Sequence, residues 1–189
     1  MREKRKFDNG YGEHKSLHMK SVADIMRDNA QALDINPSEA FVVGILHDVG
    51  YIDSKEHHEQ AGAELLTGMG LKPEYIHAVR YHGINGYALL DKDIEITPML
   101  LLLQYADMSV NRLGDKIGFG GRLYDIKKRY DIPEAYPNAK ATVDFVTEVF
   151  DIKFGEIQPM TQKEFNDKIE TIKNTKINQQ NKNEGELDR

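Results

Sequence analysis

The 189-residue chain sets 25 Lys+Arg against 31 Asp+Glu for a net charge of -6, with 40% hydrophobic residues and no cysteine. A mean hydropathy of -0.59 and a pI near 5.7 argue against a strongly basic nucleic-acid surface, and no uncharged apolar run is long enough to span a bilayer. Without cysteine there are no disulfides and no thiolate metal sites, which leaves His, Asp and Glu as ligands.

The basic start MREKRK runs into polar FDNGYGEH rather than an apolar stretch, so a cytoplasmic protein is expected. His18, Val22, Ile25, Met26 and Leu33 recur at helical spacing and predict a first helix over about 17–33. Asn36, Pro37 and Glu39 supply an N-cap, a first-turn proline and a capping-box partner for the next helix. That helix carries Phe41, Val42, Val43, Ile45, Leu46 and Val49 around its whole circumference and is expected to be buried, with His47 and Asp48 in its last turn and Gly50 as terminator. Further helices are expected over about 58–69, closed by Gly70, and from Pro73 to about His82, where Gly83, Asn85 and Gly86 break the pattern. Thr97 and Pro98 open a second strongly apolar helix, MLLLLQYADMSV, which contains Asp107. Helical patterns follow over about 122–130 and 140–150, and Thr161 with Glu164 forms a capping box before a last helix. The segment from Lys176, KINQQNKNEGELDR, is too polar to bury a face and is expected to be disordered. No strand pattern of useful length appears. The expectation is one all-α domain over 1–175, a bundle of roughly seven or eight helices, with a polar tail over 176–189.

The chemistry concentrates on His18, the His47-Asp48 pair and Asp107, which all fall on helices expected to be buried. Singly, each has an ordinary reading: a core histidine bonded to a carbonyl, or an aspartate capping a helix or paired with an arginine. Together, two buried carboxylates require a counter-charge, and a divalent cation would satisfy both. Imidazole with carboxylate suits Zn, Mn, Fe or, less well, Mg.

These residues resemble the HD superfamily of metal-dependent phosphohydrolases over about residues 14–115. The likeness rests on H-x3-VA at His18, Val22 and Ala23, on LHDVG at Leu46 through Gly50, and on YAD at Tyr105 through Asp107. It implies an HD-domain helical bundle in which His18, His47, Asp48 and Asp107 hold one metal, with His47 and Asp48 as the catalytic doublet. Many members hold a second ion, and His58 in HEQAGAELL and His82 at the end of RYH are the matching histidines; Asp48 would bridge the two. Two ions imply hydrolysis by a metal-activated water. The resemblance also implies a small phosphorylated substrate, with Arg80, Arg112 and Arg122 as candidates for its phosphate. Many relatives follow the doublet with lysine, as in HDIGK, where this chain has Tyr51. GAELL, AVRYH and YAD are similar to bacterial HD enzymes that cleave diadenosine tetraphosphate, which points to a nucleotide or dinucleoside polyphosphate. The alternatives are a mononuclear nucleotidase without His58 and His82, or a catalytically silent nucleotide-binding regulatory module. His14, His57 and His77 fall outside the pattern and are expected at the surface or behind the ligands.

Overall fold

The computed structural model describes residues 9–129, 131–153 and 155–187. Among them are nine α-helices: α1 Asn9–Asn29, α2 Pro37–Leu46, α3 His58–Gly68, α4 Pro73–Tyr81, α5 Gly86–Asp91, α6 Pro98–Asp107, α7 Gly118–Arg129, α8 Ala135–Val149 and α9 Gln162–Leu187. Short 3-10 turns at Ala30–Leu33 and Val49–Ile52 finish α1 and follow α2. The fold is the expected all-α bundle. It also carries a ribbon of two-residue strands, β1 Ile152–Lys153 and β2 Glu156–Ile157, too short for alternation to register in the sequence.

The starts follow the capping chemistry. Asn36 Oδ1 accepts from the Ser38 and Glu39 amides, and Thr97 Oγ1 accepts from the Leu100 amide at 3.2 Å. At α9 the box closes reciprocally, with Glu164 N donating to Thr161 Oγ1 and Thr161 N donating to Glu164 Oε2. Around residue 36 the box is half-made, because Glu39 turns outward to Lys72 on the neck of α4. α9 runs on past Lys176, where a disordered tail is expected; Lys176 itself donates to the Tyr87 carbonyl and to Asp91.

α6 is the axis of the molecule, with every side chain from Met99 to Ala106 buried. α1, α4 and α8 pack around it, and α2 lies across α1. The expectation that α2 is buried on all sides is not met: Val42 is 40% exposed, because only the Ala40, Val43 and Gly44 face meets α1. That crossing is close. A Cβ on Gly44 would lie 2.5 Å from the Ala23 Cα, so glycine sets how near the helices that carry His18 and His47 can approach. Gly50 has a comparable role rather than ending α2, which stops at Leu46. A Cβ there would meet the His58 carbonyl and the Gly62 amide, so it lets the turn after Asp48 press onto the first turn of α3.

Candidate metal centre

Six residues expected to hold metal converge from five places: His18 on α1, His47 and Asp48 after α2, His58 at the start of α3, His82 at the end of α4, and Asp107 at the end of α6. His18, His47, Asp48 and His82 are buried, and His58 and Asp107 are half-buried. One cluster of potential ligand atoms joins His18, His47 and Asp107, and a second joins His47, Asp48 and His82; within each, the atoms lie within 4.8 Å of one another.

Each imidazole is oriented from behind. Nδ1 of His18 donates to the Asn111 carbonyl at 2.9 Å, that of His47 to Gly44 at 2.7 Å and that of His82 to Val79 at 2.8 Å. A carbonyl can only accept, so Nδ1 carries the proton and Nε2 keeps a free lone pair. His58 Nδ1 faces the Glu59 carboxylate at 3.2 Å, which fixes the same tautomer. The four Nε2 atoms then face carboxylate oxygens. His18 Nε2 is 3.1 Å from Asp107 Oδ1, while His47, His58 and His82 approach one oxygen, Asp48 Oδ1, at 3.6, 3.5 and 3.8 Å. Two donors on one ion at about 2.1 Å each are separated by about 3.0–3.4 Å. The spacings sit at or slightly beyond that range.

The electrostatics agree. Burial lowers the His47 pKa to about 4, so the ring is neutral near pH 7. Burial pushes Asp48 up, but the opposing influence of His47, Lys15 and His82 outweighs it and holds the carboxyl at about 2. Asp107 is likewise held well below the usual carboxylate range, with burial overcome by the His18 hydrogen bond and the Arg122 charge. His47 and the two aspartates are therefore in the forms that bind cations, a neutral imidazole and ionised carboxylates, while at His18 burial is outweighed by the neighbouring Asp107, which raises its pKa. Nε2 of His47, a residue 1% exposed, makes no hydrogen bond. An orphaned buried acceptor beside two anionic carboxylates fits a cation.

Across residues 16–109 the sequence matches the family model of the HD domain. This segment belongs to the HD-domain family. Family members are generally metal-dependent phosphohydrolases that bind divalent metals, and the match encloses all six converging residues. No solved structure matches the chain. No helix among the described residues is long and apolar enough to cross a membrane.

The HD-domain cluster opens onto a cavity of about 330 Å³, whose lining includes Arg112 and Arg122 but not Arg80. Arg80 donates instead to Gln60 on α3, which takes it out of the expected phosphate group. Arg122 on α7 is 3.5 Å from Asp107 Oδ1 and the same distance from Asp125 Oδ2. His14 also lines the cavity, His57 is exposed, and His77 bonds the Glu95 carbonyl away from it.

Lys15 is the residue that sequence reasoning misses. Its Nζ lies 3.0 Å from Asp48 Oδ2 and over the Tyr51 ring, which in turn stacks on His58 with centroids 3.9 Å apart. Burial lowers the Lys15 pKa despite Asp48. Where the family resemblance leads to the expectation of a lysine after the doublet, Tyr51 fills the turn and α1 brings a cation from one helical turn before His18. That i, i+3 spacing is a signal the sequence does contain.

Proposed function

We propose that the protein hydrolyses a phosphate ester or anhydride, of a nucleotide or dinucleoside polyphosphate, at a dinuclear HD site. His18, His47, Asp48 and Asp107 hold one divalent ion, and Asp48, His58 and His82 hold the other. The observation that carries the reading is the buried His47 Nε2, which makes no hydrogen bond and lies between Asp48 and Asp107, behind a cavity whose lining sets Lys15, Arg112, Arg122 and Arg129 beside those two carboxylates. Divalent ions there supply acidified water and neutralise charge developing on the phosphoryl oxygens. The chain's own part is orientation. The carbonyls behind His18, His47 and His82 fix the ligand rings, and Lys15, Arg112 and Arg122 stand where phosphoryl oxygens need counter-charge.

A mononuclear site is the second reading, favoured by one observation: His58 belongs to neither of the two tight ligand clusters. Three histidines converging on a single Asp48 oxygen favours two ions. The test is Asp48→Ala, assayed against a generic phosphodiester and against nucleoside polyphosphates. The variant is expected to fold and to lose hydrolysis entirely, since it removes the ligand common to both ions. A folded Asp48→Ala protein of full activity rules the proposed site out.

A further inference from the structure

Beside the metal cluster lies a second chamber, of about 290 Å³, that shares His58, His82, Asp107 and Arg122 with the first and extends between α6, α7 and α8. The two are therefore continuous. Its far wall differs in chemistry from the cation-lined mouth. Met108, Ile126 and Ala139 form a small apolar cluster separate from the main core, with Ala135 packed against it, and all four line the chamber. From α8 the small Ala135 and Ala139 face it together with the polar Asn138 and Thr142.

Two polar atoms in this wall are unsatisfied. Gln104 is 1% exposed and sits one turn before Asp107 on α6. Its Nε2 donates to the carbonyls of His82 and Ile84, and two carbonyl partners fix which end of the amide faces them. Oε1 is thus committed as an acceptor, and it has no partner. Arg122 Nε is a buried donor with none. A slot with an apolar patch, one unmet acceptor and one unmet donor, continuous with the cation-lined cavity, has the recognition chemistry of a flat heterocycle with an N–H and an acceptor on its edge.

We propose that this chamber is the base pocket, taking the nucleobase of the substrate with its N–H donated to Gln104 Oε1. The proposal rests on the nucleotide reading given above and adds where the nucleoside goes and which group reads it. It requires no metal for base binding.

The test is to titrate the full-length protein, chelated and metal-loaded, with adenosine, guanosine and inorganic phosphate, following methyl NMR signals of Met108, Ile126 and Ala139. Adenosine or guanosine is expected to bind in both states and to shift those methyls. Purine riboside, which has no N–H on its base, is expected to bind about tenfold more weakly than adenosine, because it leaves the Gln104 acceptor unpaired. Ala135→Met, at the half-buried first turn of α8, is expected to weaken nucleoside binding at least tenfold while the metal-loaded protein keeps its affinity for inorganic phosphate. Unmoved methyls, equal affinity for purine riboside and adenosine, or unchanged nucleoside affinity in Ala135→Met each overturn the proposal. A protein that hydrolyses tripolyphosphate yet ignores nucleosides keeps the hydrolase reading and loses this one. A protein that binds adenosine but hydrolyses nothing does the reverse.

Discussion

Replacing Gly44 by alanine is expected to damage both the fold and the metal centre, although alanine is the better helix former. The added Cβ would sit 2.5 Å from the Ala23 Cα and 2.8 Å from the Ala23 nitrogen. Those are backbone atoms and cannot swing aside, so α1 and α2 must part by about 1 Å to restore ordinary carbon contact of about 3.5–4.0 Å. Overpacking of this kind costs about 1–3 kcal/mol, against a gain of about 1 kcal/mol in helix propensity. The expected net loss is up to about 2 kcal/mol, which for a chain of this size lowers Tm by up to about 8 °C. The consequence for function follows from what the two helices carry. His18 rides on α1, and His47 is anchored to the carbonyl of Gly44 itself, so the same separation pulls the two imidazoles apart. Metal affinity is expected to fall about 10- to 100-fold, the usual result of disturbing the groups behind a ligand. Thermal melts in chelator isolate the packing effect, and a competition titration against a chromophoric chelator measures the metal effect. A Gly44→Ala protein that melts no lower than wild type and binds metal as tightly would falsify the account of the crossing.

Exhaustive chelation of the purified protein should lower Tm, since an ion that binds only the folded state stabilises it by mass action; unchanged Tm together with unchanged metal content would defeat the metal reading. Replacing His58 by Ala and the buried His82 by Gln in one variant should reduce bound metal from about two equivalents to about one and cut hydrolysis by orders of magnitude. One equivalent in the wild type with full activity in the double variant would establish the mononuclear site instead. In the chelated protein, the folded pKa of His47, about 4, lies below its unfolded value of 6.5. The unfolded chain therefore takes up the proton first, and the His47 contribution is full above about pH 6.5 and lost as pH falls toward 4. Urea midpoints should show wild type losing about 3 kcal/mol more than His47→Gln across that window; parallel curves would contradict it. Lys15→Ala should raise KM for phosphorylated substrates about tenfold with bound metal retained, and an unchanged KM would remove Lys15 from phosphate binding.

The helices were largely legible because their starts depend on local chemistry: Asn36, Thr97 and Thr161 each make the side-chain cap that their residue type implies. The converging candidate residues were legible for a related reason, since His18, the His47-Asp48 pair and Asp107 interrupt otherwise apolar helices where an unpaired polar group is costly. What lay hidden depends on tertiary distance. α5 went unread because its six residues begin at Gly86 directly after Asn85, a pair that looks like a loop, and only the Asn85 cap and packing on α8 make a helix of them. The outward face of α2 could not be told from its inward face, because Val42 and Val43 are alike in sequence and differ only in what lies opposite. Arg80 and Arg122 are equally plausible cations on paper; the turn of α4 sends one to Gln60 and that of α7 sends the other to Asp107. Lys15 and Gln104 carry no motif of their own and acquire meaning only beside Asp48 and Ile84.

His47 and His82 share one arrangement: each closes its own helix and turns its Nδ1 back to the carbonyl three residues earlier. Their aim is thus written into single helical turns rather than into the assembled bundle. Once α2 and α4 form, both rings are already pointed, and little rotamer entropy remains to be lost when an ion arrives. The two helices can consequently be regarded as separate cartridges, each delivering a finished ligand to whatever partner holds it at the right distance. Loops between them are free to vary in length and sequence without retuning these two rings, whereas a proline inside either terminal turn would disarm its histidine even with every other residue of the cluster intact.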